Sequence, residues 1–188
     1  MKTNLTDLQL YLKDKNICLL GNARSILNNK KDIDSFDIVC RMNRGVSQGK
    51  EEYIGSRTDV LFISTRFRDD LQIGFNAKHV VWMTECQKLA TDWIKENAYQ
   101  NPIVDWRRLK ALTGDNLPST GFLTINFLLK YIEFKTLTIY GFDFFKTGTW
   151  YHNIMVQPKG WHFGGTEEKL IELWINRFPN VKLVNENE

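Results

Sequence analysis

The chain has 188 residues, 43% hydrophobic and 25% charged, enough for one well-buried domain without disulfides or metal. Its 25 basic and 22 acidic residues leave a net charge of only +3, spread along the sequence, which argues against a dedicated nucleic-acid binder and leaves room for a local anion pocket. No segment approaches the ~18 apolar residues needed to span a membrane, and there is no signal-peptide pattern.

Disorder is expected only at the ends, Met1–Thr6 and Asn185–Glu188. Met1–Leu12 otherwise reads as polar and helix-like. Asn16–Leu20 is an apolar run that ends at Gly21, the pattern of a buried strand feeding a turn. Asn22–Asn29 follows as a polar loop with a short helix. Phe36–Asn43 and Asp59–Ser64 read as further strands ending in polar residues, separated by a Gly- and Glu-containing loop, Gly45–Gly55. Phe67–Leu71, with the adjacent Asp69 and Asp70, reads as a solvated turn. His79–Thr84 is a fourth strand.

Helical spacing of Leu89, Trp93 and Ile94 predicts a helix over Glu85–Ala98, and a second covers Asp105–Leu112. Pro118 breaks that pattern. Ser119 or Thr120 is then placed to cap a helix over Gly121–Tyr131, apolar almost all round and therefore buried. Thr136–Gly141 is a fifth strand. Lys146–Gly165 is a long irregular stretch rich in aromatics, and its length marks it as a candidate functional loop. Thr166 is expected to cap a last helix to about Phe178, before a final strand over Val181–Val184. The predicted architecture is α/β: one Rossmann-like domain over 1–188, with a mainly parallel sheet flanked by helices. The three cysteines, Cys18, Cys40 and Cys86, form no CxxC pair and read as thiols of a reduced protein, placed in the cytoplasm.

In such a sheet, ligands bind outside the carboxyl ends of the strands. Gly21-Asn22, Arg41–Asn43, Ser64-Thr65, Thr84-Glu85 and Gly141–Asp143 should converge there. Gly21 allows a sharp turn, and Asn22 offers amide donors where anions are favoured. A single glycine is not a dinucleotide fingerprint, so an oxidoreductase is disfavoured. Ser119, Thr120 and Gly121 combine two hydroxyls with helix-start amides, equally an N-cap or an anion site. His152 and His162, with Glu167 shortly after, are the candidate acid–base groups. Trp150, Tyr151, Trp161, Phe163, Phe142, Phe144 and Phe145 are either core or the walls of a cleft. A metal site is disfavoured: no closely spaced His/Asp/Glu set includes Asp143, and no DxD motif is present.

Taken together, these segments resemble the sialyltransferases of glycosyltransferase family 29. Ile17–Gly45, extended to Tyr53–Thr58, is similar to the large sialyl motif, with its apolar strand, Gly-Asn, Ile-Asp-Ser-x-Asp, Arg-Met-Asn and Gly-Ser-x-Thr. Leu117–Phe142 is similar to the small motif, with Pro-Ser-Thr-Gly and Tyr-Gly-Phe. Trp150-Tyr151-His152 resembles the third motif, and His162 with Glu167 resembles the very small His-x4-Glu motif. The Gly-Phe-Asp-Phe-Phe run and the small size also resemble bacterial family 42. The resemblance differs in its cysteines. Family 29 enzymes usually join the large and small motifs by a disulfide, but here no cysteine lies between Ser119 and Asp143.

The resemblance implies a GT-A-like sialyltransferase fold and an inverting, metal-independent transfer from CMP-sialic acid to a glycan hydroxyl, with no cofactor. It implies that Asn22 and Asn43 meet the phosphate and ribose of CMP. Ser119, Thr120 and the Gly121 amide would hold the sugar carboxylate, and Gly141 and Phe142 would line the cytosine or ribose pocket. His152 would donate to the departing phosphate, and His162 would be the general base. Gly21, Tyr151, Asp143 and Glu167 would support them, Glu167 by orienting the His162 loop or simply as a first-turn acid. The expected partners are a CMP-sugar and a glycan, with peripheral membrane or oligomeric association also open. A CMP-Kdo transferase and a CMP-binding module without transfer remain alternatives. Asn- and Lys-rich composition points to a bacterial or phage source.

Overall fold

The computed structural model describes residues 2–28, 30–45, 49–64, 76–151 and 164–184. Among them the sheet has seven strands, all parallel: β1 (Asn16–Leu20), β2 (Ile38–Met42), β3 (Val60–Ile63), β4 (His79–Trp82), β5 (Tyr99–Gln100), β6 (Thr136–Tyr140) and β7 (Val181–Leu183). Their order is β5-β4-β3-β2-β1-β6-β7. The order reverses between β1 and β6, so a crevice opens at their carboxyl ends, the usual ligand position in an open α/β sheet. The expected single α/β domain with a parallel sheet is the one observed.

Central strands of such a sheet are covered on both sides, which is why their sequences are continuous apolar runs. All of β2 and β3 is buried. One face carries Ile17, Leu19, Cys40, Phe62 and Ile139. Against it pack α1 (Leu5–Leu12), α4 (Ile103–Leu112), α5 (Thr120–Tyr131) and α6 (Gly164–Ile175), through side chains such as Leu8, Trp106, Phe127 and Ile171. The other face divides in two. Leu61, Ile63 and Trp82 pack on α3 (Asp92–Asn97), while Cys18, Leu20 and Val39 pack on Ile26, Ile33 and Ile54 from short 3-10 turns and α2 (Glu51–Ile54).

Several local expectations change. The amino end is not loose: Thr3 is buried, bonds to the Asn97 carbonyl and accepts from the Val80 amide, and Asn4 caps α1. The single helix expected over Glu85–Ala98 is a 3-10 turn at Gln87–Leu89 followed by α3. Thr91 adopts extended backbone there and caps α3 through the Ile94 amide, so the first helix cannot run through it. Gly45–Gly55 is not all loop, since it contains α2. Thr166 does not cap the last helix, which is already helical from Gly164. That start presses on the preceding aromatics: a side chain on Gly164 would meet the Phe144 carbonyl at 2.2 Å.

Candidate active site

The β1–β6 junction decides where the cleft lies. Leu20 pairs with Tyr140, so Gly21 and Gly141 leave the sheet side by side. Gly141 has φ +69°, and a Cβ on Gly21 would sit 2.1 Å from the Gly141 carbonyl oxygen. Only glycines allow this contact. The Gly21 N–H then donates to the Tyr140 carbonyl at 2.7 Å, and the Ala23 N–H donates to Gly141 at 3.1 Å. Phe142 follows, its ring close enough to Gly121 that a Cβ there would come within 2.5 Å. The aromatic thus wedges between β1 and the start of α5.

Above this junction lies a cleft of about 190 Å³. Of the described residues expected at the site from sequence, Gly21, Asn22, Asn43, Ser119, Thr120, Gly121, Gly141, Phe142, Asp143, Tyr151 and Glu167 line it, whereas Arg41, Ser64, Thr84 and Glu85 do not, the last two because they follow β4, three strands away from β1. His152 and His162 lie outside the described residues, as do Trp161, Phe163, Thr65 and the Phe67–Leu71 segment. Among the described residues, no group of three or more His, Cys, Asp and Glu side chains is placed to hold a metal ion.

The cleft is braced by a polar network that joins distant parts of the chain. Asn22 donates its amide to the Met42 carbonyl at 3.1 Å, because the β1–β2 register brings the two strand ends level. Asn43 sits at φ +50°, a conformation asparagine tolerates better than most residues. Its Oδ1 accepts from the Ser64 amide, and its Nδ2 donates to the Thr120 hydroxyl, each at 3.0 Å. One asparagine therefore ties β2, β3 and the start of α5 together.

Ser119 is the N-cap of α5, its hydroxyl oxygen accepting from the Phe122 amide at 3.1 Å. Its own two hydrogens both go to Glu167: the backbone N–H at 2.7 Å and the hydroxyl at 2.5 Å. Glu167 is 2% exposed. Ser119 thus supports the turn, while the Thr120 hydroxyl accepts from Asn43 and keeps its hydrogen for another acceptor. By helix geometry, the first amides of α5 lack partners within the helix. The arrangement leaves donors to spare at a helix start, where an anion would be favoured.

The outer wall comes from the segment after β6. Asp143 accepts from the Thr147 amide at 2.7 Å and from the Thr147 hydroxyl, closing a turn in which Phe144 and Phe145 both take positive φ. Asp143 is thereby committed to its own loop. Ala23 and Thr149 form a β-bridge, and Trp150 donates its amide to the Asn22 carbonyl at 3.1 Å. The segment that carries Tyr151 is laid along the Gly21-Asn22 turn in this way. Burial raises the Tyr151 phenol above its usual pKa, against a smaller opposing effect of Arg44, so it stays a protonated donor near neutral pH. Thr147, Gly148 and Thr149 were not singled out from sequence as lining residues. Neither was the part Glu167 plays at Ser119. Small and hydroxyl residues in a loop carry no periodic signal, and Glu167 meets a partner 48 positions away.

The Arg41 side chain faces away from the cleft. It is 2% exposed and donates to the backbone carbonyls of Ile54, Gly55 and Arg57 at 2.6 to 2.9 Å. Burial pulls its guanidinium down to about 10. Asp34 accepts from the Ser56 amide and hydroxyl and from the Arg57 amide. The Ile-Asp-Ser and Gly-Ser-x-Thr runs are therefore two halves of one joint.

With this geometry in hand, the comparisons can be read. Residues 16–108 match the family model for glycosyltransferase family 29 (sialyltransferase), just under half of the chain. The sequence matches no curated protein. The fold is similar to that of a mammalian sialyltransferase in complex with Gal-β-1-3GalNAc-ortho-nitrophenol, at 17% identity and TM-score 0.61, covering 98% of this chain and 80% of that one. It is similar to the sialyltransferase CST-II in complex with CMP, at 12% identity and TM-score 0.65, covering 93% and 82%. It is also similar to CstII from Campylobacter jejuni with the substrate analogue CMP-3FNeuAc, at 13% identity and TM-score 0.61, covering 93% and 83%. The fold, over nearly the whole chain, is that of the sialyltransferases, and the sequence match to their family lies within residues 16–108. The fold similarity extends beyond the matched segment, and most of the cleft lining, from Ser119 to Ile171, follows it in the chain. Among the described residues, no helix is long and apolar enough to cross a membrane.

Proposed function

We propose that this chain transfers sialic acid from CMP-sialic acid to a glycan hydroxyl, with inversion and without a metal ion. The observation that carries the reading is the Asn43–Thr120 hydrogen bond. It ties a strand end matched to family 29 to the start of α5, over a cleft at the point where the strand order reverses. The relatives support the ligand classes, since CMP, CMP-3FNeuAc and a trisaccharide acceptor are bound in sialyltransferases of this fold.

The acceptor hydroxyl attacks the anomeric carbon of the sugar, and the bond to the CMP phosphate breaks. His162 takes the hydroxyl proton, and His152 donates to the departing phosphate. Asn22, with the Gly21–Ala23 turn, meets the phosphate and ribose. Gly141 and Phe142 line the nucleoside pocket. The Thr120 hydroxyl and the Gly121 N–H take the sugar carboxylate directly, with Ser119 behind them. A nucleoside monophosphate leaving group carries less charge than a diphosphate, so neutral donors suffice to hold it. Cysteines that stand as thiols suit a reducing compartment such as the cytoplasm.

The test is CMP release from CMP-sialic acid and, separately, from CMP-Kdo, with and without a lactose-type acceptor. Acceptor-dependent release from CMP-sialic acid, undiminished in EDTA, is the expected result. His162→Ala should lower the rate about 10²–10⁴-fold, the usual share of a general base. Near wild-type transfer by that variant, or activity lost in EDTA and restored by Mg²⁺, would refute the scheme.

A further inference from the structure

We infer that Glu167 is a positioning residue for recognition of the donor's carboxylate, acting through Ser119; the inference rests on the functional reading above. A buried carboxylate beside a site meant for an anion is at first sight a contradiction, because like charges repel. The hydrogen bonds resolve it. Glu167 accepts both hydrogens of Ser119, one from the backbone and one from the hydroxyl. The Ser119 oxygen meanwhile accepts from the Phe122 amide. With the hydroxyl hydrogen and the N–H both engaged, Ser119 is held in one orientation and has no hydrogen left for a ligand.

The next residue is complementary. The Thr120 oxygen accepts from Asn43, which fixes the side chain and leaves its hydrogen unspent. Glu167 on one side and Asn43 on the other therefore clamp the turn 119–120 from α6 and from the end of β2. The donors left over, the Thr120 hydroxyl and the first amides of α5, then line the cleft. Such pre-orientation matters because a donor held in place costs no ordering when the ligand arrives.

Two ligands that share the nucleotide separate this role from a general one. CMP lacks the sugar carboxylate, and CMP-3FNeuAc carries it. In Glu167→Ala, the Kd for CMP-3FNeuAc should rise about tenfold, the size of one charge-assisted hydrogen bond, while the Kd for CMP stays within about twofold. Glu167→Gln keeps an oxygen for the Ser119 amide and should recover most of the loss. Thr120→Val leaves the Glu167 brace intact and should reproduce the selective loss, with Thr120→Ser restoring binding.

Equal weakening of both ligands in Glu167→Ala would make Glu167 a scaffold residue and overturn the inference. Tighter binding of CMP-3FNeuAc in that variant would also overturn it, because it would mean that the carboxylate acts only by its charge. If the wild-type protein binds CMP but gains nothing from the sugar, the inference fails while the nucleotide site stands. If neither ligand binds, the functional reading fails with it.

Discussion

Two polar networks flank β2, and they spend their hydrogen bonds differently. On one side, Asp34, Arg41, Ser56 and Arg57 close on one another and on backbone carbonyls. At the carboxyl end, Asn22, Asn43, Ser119, Thr120 and Glu167 also interlock, but donors at Thr120 and the start of α5 remain over. Both networks include residues of the large-motif resemblance. The first joins loops, and the second presents a surface. Residue type does not separate them: Arg41 and Asn43 are two positions apart, and a strand turns them to the same side until Asn43 leaves the sheet at positive φ.

The difference can be broken at Arg41. Arg41→Met keeps an unbranched stem but strips three carbonyls of their donor. The expected loss is about 3–5 kcal/mol in denaturant unfolding, with CMP affinity nearly unchanged under conditions where the fold survives. Asn43→Ala should do the reverse. It forfeits the bonds to Ser64 and Thr120 and leaves alanine in a left-handed conformation, a stability cost of about 2 kcal/mol. Calorimetric CMP and CMP-3FNeuAc titrations should lose more than that cost explains. If the two variants affect stability and binding in the same proportion, the networks are not distinct.

Asp34 offers the mildest test. Partial burial works to raise its carboxyl, but the hydrogen bonds from Ser56 and Arg57, with the nearby Arg41 charge, outweigh it and hold the group below the usual 3.8. A depressed folded value means the contribution is fully present above 3.8 and is lost as pH falls through the lower folded value. Asp34→Asn should cost about 1 kcal/mol or less near neutrality, since water screens the site, and should flatten the acid limb of a stability curve below about pH 4.

Much of this was legible in the sequence because a buried parallel strand writes itself as an apolar run with a polar end. Asn16–Leu20, Asp59–Ser64 and Thr136–Gly141 appear nearly where expected, and their ends meet. What escaped depends on tertiary choice. Ser119 and Thr120 are equally good caps by composition, and the geometry of α5 selected Ser119. Thr91 divides a periodic helix because its hydroxyl found the Ile94 amide. The two-residue β5 exists only as a partner for β4. The Glu167 bond to Ser119 joins α6 to α5, and no local spacing encodes it.

Cys18 and Cys40 lie on neighbouring strands, yet Cys18 pairs in register with Val39 and Cys40 with Leu19. The two sulfurs therefore point to opposite faces of the sheet, each fully buried, while Cys86 is exposed. An oxidant has no bridge to close between the strands. The same separation gives the molecule an internal clock. An alkylating reagent should add one label quickly and the next two together, only when the sheet opens. The mass of the labelled chain would then count unfolding events without any engineered probe.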